Sequence, residues 1–300
     1  MREKLRIILA LLFIVSTRPI FSQAISGAKI FEKYNVQLRQ SFESADTKQE
    51  PAAFTITLPQ KSAGSYLIDG GISLGYAFRD SLQHERLYVK VLAEYHRNTL
   101  IEKTQNNSQF GIGAQYFLKS PQAVNWIVNG SLKYINDAAT DKGSLLLSGG
   151  MTYYNETEKW YAINSPTNVA RIGTTQLRSF FTPSAGFEYQ RTTKVAGDSL
   201  YNIKDNVLRG IGKARLSFTL HKFPSMVPLF ELYGDGTLRY DFVNQTQASG
   251  GWRPYLDTGV RYFFAGQENV SIGLSYVSGE NPVSGFQKQR YWLVALKVYI

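Results

Sequence analysis

The chain has 300 residues, no cysteine and a formal net charge of +10 at pH 7, so a disulfide framework, a thiolate metal site and a lipid on an N-terminal cysteine are excluded. After residue 24 no apolar run approaches the roughly 18 residues of a membrane-spanning helix. The basic excess is interleaved with carboxylates, which argues against a phosphate-tracking stripe and against nucleic acid as a partner.

The chain opens with MREKLRIILALLFIVSTRPIFSQA: a basic start at Arg2, Lys4 and Arg6, an apolar run over 7–15, and small residues at Ser22 and Ala24. This reads as a signal peptide over 1–24, so the chain is expected to be exported. Residues 25–51 form a polar lead-in, whose KYNVQLRQSF reads as one further strand, a short helix or a tail.

From there the hydrophobic pattern has period 2, the repeat of a strand whose successive side chains point to opposite faces. Weak versions cover 54–58 and 66–78. A strong one follows in RLYVKVLAEYHR, where Leu87, Val89, Val91, Ala93 and Tyr95 alternate with Arg86, Lys90, Glu94 and His96. Further weak segments cover 110–118, 124–134, 145–153, 177–189 and 270–276. Strong ones are NVLRGIGKARLSFTLHK, FELYGDGTLRYDF, WRPYLDTGVRYFF and RYWLVALKVYI. Together they predict about 12 antiparallel strands, and an additional strand pair inside the long connection 155–175 would make about 14. Pro183 interrupts the segment around it, so a bulge or an irregular strand is expected there.

RDSLQHE, LKSPQAV, HKFPSMVP and FAGQEN read as tight turns, whereas NTLIEKTQNN, INDAATDKGS, TTKVAGDSLYNIKDN, VNQTQASGG and SGENPVSGFQK read as longer polar loops. Alternation of short turns with long loops suits a closed barrel crossing a membrane, with apolar residues outward and charges inward. A soluble barrel or sandwich would reverse the faces. Three features favour the membrane arrangement. Strands of about 10–14 residues match the 9–11 that a tilted strand needs to cross. Aromatics gather at strand ends: Tyr66 with Tyr76 and Phe78, Tyr153, Tyr189, Trp252 with Tyr262 and Phe264, and Trp292. The chain also ends inside a strand, at Tyr299 and Ile300.

On these residues the stretch 53–300 resembles the outer-membrane β-barrel superfamily of Gram-negative-type envelopes. The C-terminal YWLVALKVYI is similar to the strand signal read by the barrel assembly machinery, and departs from it in ending on Ile300 with the aromatic one place earlier. The resemblance implies an all-β, transmembrane, up-and-down barrel over 52–300, a periplasmic segment over 25–51, and residence in the outer membrane. It also implies contact with outer-membrane lipid and lipopolysaccharide, and with the assembly machinery during biogenesis.

No catalytic, cofactor or metal site is expected. GISLG over 71–75 matches G-x-S-x-G, but YAFRD continues the strand where a nucleophile elbow needs a turn and helix. GDSL over 197–200 falls in a loop and has no matching base. His84 lies in a turn, and His96 and His221 lie on charged faces of separate strands with no evident carboxylate pair for a metal. The candidate functional residues are the inward charges Lys90, Glu94, Arg209, Lys213, Arg215, Glu231, Asp235, Arg239, Asp241, Arg253, Asp257, Arg261 and Lys297. They suit a small porin-like channel for anionic or neutral solutes. The alternative is a structural or interaction barrel whose loops or N-terminal segment bind an envelope or secretion partner; an outer-membrane enzyme stands third. Folding 230–242 against 252–264 with residue i opposite 496 − i predicts the pairs Asp235 with Arg261, Arg239 with Asp257, and Gly234 with Tyr262.

Overall fold

The computed structural model describes residues 34–39, 42, 52–57, 65–79, 85–99, 105–119, 125–155, 162–194, 206–245, 250–264, 270–280 and 288–298. Residues 1–24, read above as a signal peptide, GDSL, His84, Tyr299, Ile300 and most of the long loops lie outside them. The described residues are all-β, and no helix among them is long and apolar enough to cross a membrane.

Among the described residues fourteen strands form one antiparallel sheet. They are β1 (Tyr34–Arg39), β2 (Ala52–Thr57), β3 (Ser65–Arg79), β4 (Glu85–Asn98), β5 (Gln105–Lys119), β6 (Asn125–Asp137) and β7 (Lys142–Tyr154). After them come β8 (Thr167–Ile172), β9 (Thr175–Lys194), β10 (Asn206–Lys222), β11 (Val227–Asn244), β12 (Trp252–Phe263), β13 (Val270–Glu280) and β14 (Lys288–Val298). Neighbours in the chain pair with one another from β3 to β7 and from β9 to β14, and β7 pairs with β9. β14 then pairs with β2, and β2 with β3, so the order of pairings returns to its start. The β14–β2 ladder is short, with three residue pairs from Leu296↔Phe54 to Val298↔Ala52. β1 lies beside β2 on the same edge of β3, so KYNVQLRQSF contributes a strand.

Among the described residues of the connection 155–175 there is one strand, β8. β8 pairs with the first residues of β9, which is 20 residues long. β9, β10 and β11 outrun the expected length, and β8 rests on that extension. Pro183 does not produce a bulge: β9 stays in register with β10 through Ala214↔Pro183. On its other edge β9 pairs with β7 down to Ser184 and with β8 from Ser179 onward, so Pro183 falls between two ladders. A missing N–H is tolerated where no ladder donor is required.

Among the described residues one connection departs from the expected alternation of lengths. INDAATDKGS is not a long loop but a four-residue turn over 138–141. Asp137 closes it, accepting from the Ala139 N–H at 2.9 Å and the Thr140 hydroxyl at 2.6 Å, and Asp141 takes the left-handed conformation (φ 48°). An Asp followed by Ala and Thr caps a turn through its own side chain, which leaves nothing to loop out.

The predicted β11–β12 register is also corrected. Both strands are neighbours with their charges on one face, but residue i lies opposite 492 − i, four residues from the expected partner. Asp235 faces Asp257, Arg239 faces Arg253, and Gly234 faces Thr258. The observed register stacks Phe230 on Tyr262 (5.1 Å between centroids) and Tyr240 on Trp252 (4.8 Å), and sets Glu231 opposite Arg261. Aromatic cross-strand pairs are each worth about 0.5–1.5 kcal/mol beyond their area, and the charges find partners on other strands.

Because the chain has no native thiol, register can be read by cross-linking. The pair Leu232→Cys with Val260→Cys should oxidise readily, since the two positions are directly opposed. The pair Gly236→Cys with Val260→Cys should not, being displaced by about 13 Å along the strand; non-reducing electrophoresis of the two double variants decides.

Candidate functional site

The sheet presents its apolar side chains to the surroundings and buries its charges. Among the described residues 38 large hydrophobics are exposed and only 12 hydrophobics are buried. Ile72, Leu74, Val91, Phe110, Ile112, Leu232 and Val294 are each more than two-fifths exposed, whereas Lys133, Arg215, Glu231 and Glu188 are 0–2% exposed. Parity along each strand produces this: one residue out and the next in, over ten or more residues.

Over β9–β14 the buried charges are paired laterally from strand to strand. Arg209 on β10 donates through Nε to Asp241 on β11 at 2.9 Å, and Arg253 on β12 donates to the other oxygen of Asp241, also at 2.9 Å. Arg253 reaches on to Glu280 on β13 at 2.7 Å. Glu188 on β9 lies 3.5 Å from Arg239 and 3.7 Å from Arg209. Lys213 and Arg215 approach Asp235 at 3.5 and 3.8 Å, and Glu231 takes Arg261 at 3.1 Å with Arg215 at 3.9 Å. The like-charge opposition of Asp235 with Asp257, and of Arg239 with Arg253, is thus relieved by other strands.

Tyr233 is the centre of that half. Its hydroxyl donates to Asp257 at 3.1 Å and accepts from Lys297 at 3.3 Å. Arg261 and Arg215 lie 4.3 and 5.2 Å from its ring centroid, within cation–π range.

A second network spans β3–β6. Lys133 donates to Glu94 at 2.8 Å, both side chains being fully buried, and to Gln109 at 3.4 Å. His96 touches Glu94 through Nε2 at 3.1 Å and Asp69 through Nδ1. The expectation that His96 lacks a carboxylate pair is therefore corrected. Glu94 shares its strand face two residues earlier, and Asp69 is its direct cross-strand partner. Among the described residues no such cluster has the form of a metal site. Lys90 lies 4.5 Å from the Phe42 ring centroid.

All thirteen candidate charges thus lie on the buried or half-buried face, in two groups: Lys90 and Glu94 in the β3–β6 network, the other eleven over β10–β14. Sequence reasoning passed over Tyr233, Gln109 and Phe42. Tyr233 was recoverable, since it alternates in phase with Glu231 and Asp235. Nothing local marks Phe42. Ser73 of GISLG is buried in the middle of β3, with no turn beside it to make an elbow. His221 bonds back to the Thr219 carbonyl at 3.1 Å.

No family model, curated protein or solved structure matches the chain. Function therefore has to be argued from this geometry.

Breaking a buried ion pair by removing one partner strands the other charge, at a cost of about 3–5 kcal/mol. Lys133→Met should lose that much in an equilibrium unfolding titration, and adding Glu94→Gln should recover part of it. A loss below about 1 kcal/mol, the scale of an exposed pair, would mean the network is hydrated.

Proposed function

We propose that the chain is an outer-membrane β-barrel protein, with the cyclic sheet as its wall and the charged face as its interior. We infer further that it serves as a structural or interaction barrel, anchoring its loops in the envelope. The observation that carries the first step is the inversion of burial. A soluble monomer rarely exposes a contiguous apolar patch above about 600 Å², and here apolar side chains are exposed on strand after strand. A hydrocarbon surround accounts for this, and in hydrocarbon only a closed set of strands satisfies every backbone group.

The aromatic residues support the same reading by their spacing. At the end of the sheet that carries the 223–226 turn lie the contacts Phe230–Tyr262, Trp126–Tyr153 and Tyr34–Tyr76. Towards the other end lie Tyr240–Trp252 and Tyr276–Trp292. Phe230 to Tyr240, like Trp252 to Tyr262, is a step of ten residues. At ~3.4 Å per residue and a tilt of ~40° it rises about 26 Å, matching the apolar band of outer-membrane barrels.

The second step rests on the packed interior. A water-filled pore leaves its lining charges accessible, yet Arg209, Arg215, Arg261 and Lys297 are all at most 5% exposed. The second reading, a small porin-like channel for anionic or neutral solutes, draws support from the cations among the thirteen candidates, eight against five carboxylates. Adding Lys133 and Arg178 to one side and Asp69, Glu188 and Glu280 to the other leaves ten against eight, a weak basis for anion preference.

Leu216 and Leu238 are 43% and 44% exposed. If lipid covers them, Leu216→Arg and Leu238→Arg should each cost about 2–4 kcal/mol in refolding into liposomes near the midplane. On a protein surrounded by water the same changes should stay within about 0.5 kcal/mol, which would reject the barrel. In planar bilayers the wild-type protein should show no sustained open conductance; a steady porin-like current would favour the channel reading over the anchor.

A further inference from the structure

Where β8 joins the sheet, three strands carry two in-register rows of side chains on the charged face. Asn168 of β8 lies opposite Arg178 of β9, and Arg178 opposite Thr219 of β10. One pleat nearer the turns, Arg171 lies opposite Gln176, and Gln176 opposite His221. An unbroken strand would put Asn168 and Arg171 on opposite faces, since their numbers differ by three. The register shift between Asn168 and Ala170 restores the phase and keeps both on one face. The two rows make a plate about 10 Å wide, two strand spacings, and about 7 Å deep along the strands. It carries two guanidinium groups, an imidazole, two amides and a hydroxyl, and no carboxylate. The next residue along the Arg178 row, Glu231 opposite Thr219, is held by Arg261 at 3.1 Å and Arg215 at 3.9 Å.

Arg178 stands apart from the other arginines of this face. Arg209, Arg215, Arg239, Arg253 and Arg261 each meet a carboxylate. Arg178 meets none among the described residues, and its Nε is buried without a hydrogen-bond partner. Neutral groups position the remainder of the plate. The Arg171 guanidinium lies 3.8 Å from the Phe223 ring centroid, and the Phe223 N–H donates to the Thr174 carbonyl at 2.8 Å, tying the two turns together. His221 Nδ1 lies 3.1 Å from the Thr219 carbonyl. A half-buried guanidinium without an acid is unfavourable unless a ligand supplies the negative charge. We propose that this plate binds a phosphate group at the end of the sheet that carries the 173–174 and 223–226 turns. Arg178 and Arg171 are its charged donors, and Asn168, Gln176 and Thr219 its neutral ones. Two guanidinium charges balance a phosphate dianion, and donors arriving from three strands suit its tetrahedral oxygens better than a planar carboxylate. The site depends on the β8–β10 register alone, so it stands or falls separately from the membrane reading.

The test titrates inorganic phosphate into the full-length chain, folded in a phosphate-free non-ionic detergent, and reads the heat of binding. Wild type should bind saturably. Arg178→Gln and Arg171→Gln should each weaken binding by about 10- to 100-fold, the scale of a lost hydrogen bond to a charged group. Arg178→Lys should not restore it, because an ammonium cannot reproduce the planar fork. Lys222→Gln removes one positive charge from the opposite face at the same end and should leave the affinity unchanged. Heat-modifiable electrophoretic migration shows which variants fold; if Arg178→Gln does not, Arg171→Gln at its exposed position carries the test. Glycerol phosphate and a short-chain phosphatidic acid, titrated in the same way, separate the sources. Binding of the first supports a soluble phosphate ester, and binding of the second alone supports a lipid headgroup. Absence of saturable phosphate binding by folded wild type overturns the site, as does an unchanged affinity in the folded arginine variants. An equal loss with Lys222→Gln and Arg178→Gln overturns it too, since the attraction is then diffuse.

Discussion

Everything in this sheet follows from having charges on the face that water does not reach. A buried guanidinium or carboxylate is tolerated only with a partner at hydrogen-bonding distance, and side chains on one face of a strand alternate every second residue. Partners therefore come mostly from across the sheet, from the next strand or the one beyond. Asp241 shows the consequence: lying between Arg209 of β10 and Arg253 of β12, it ties three successive strands together at 2.9 Å on each side. Glu231 does the same between Arg215 and Arg261. Such pairs add little net stability against an apolar substitute. Their physical effect is on register, because a slip of two residues anywhere leaves several charges without partners at once.

That lateral logic explains why two strands taken alone mislead. Between β11 and β12 an alignment with opposite charges face to face exists, and the structure forgoes it. Asp235 and Asp257 can stand opposite each other because Arg215 and Lys213 approach from β10 and the Tyr233 hydroxyl serves Asp257. Free of the need to match charges within the pair, the two strands adopt the alignment that stacks their aromatics on the exposed face. The two faces thus constrain the sheet at different ranges: aromatics between neighbours, charges across three or four strands.

A filled interior has consequences for any role in an envelope. If the sheet is a barrel wall, the Tyr233 cluster and the Glu94 cluster occupy the space through which a solute would travel, and the protein in this state is a support rather than a conduit. Among the described residues outside the strands, Phe42 reaches the buried face against Glu94 and Lys90, and Asn164 reaches it by donating to Thr152 at 2.7 Å.

Strand identity was legible in the sequence because period 2 runs unbroken for ten or more residues in segments such as 206–222, and β10 has those very bounds. Parity alone put the thirteen charges on one face, and would have put Tyr233 there too. Turn length was legible where proline marks 223–226 but not at 138–141, where Asp137 closes the chain through side-chain bonds that composition does not reveal. The tertiary structure alone decided the β11–β12 register, the harmless place of Pro183 between two ladders, the seating of Asp69 beside His96, and the entry of Phe42 among Gly71, Lys90 and Glu94. Each depends on which strand lies on the far side. A one-strand pattern specifies which face a residue takes but carries no information about the neighbour that will meet it there.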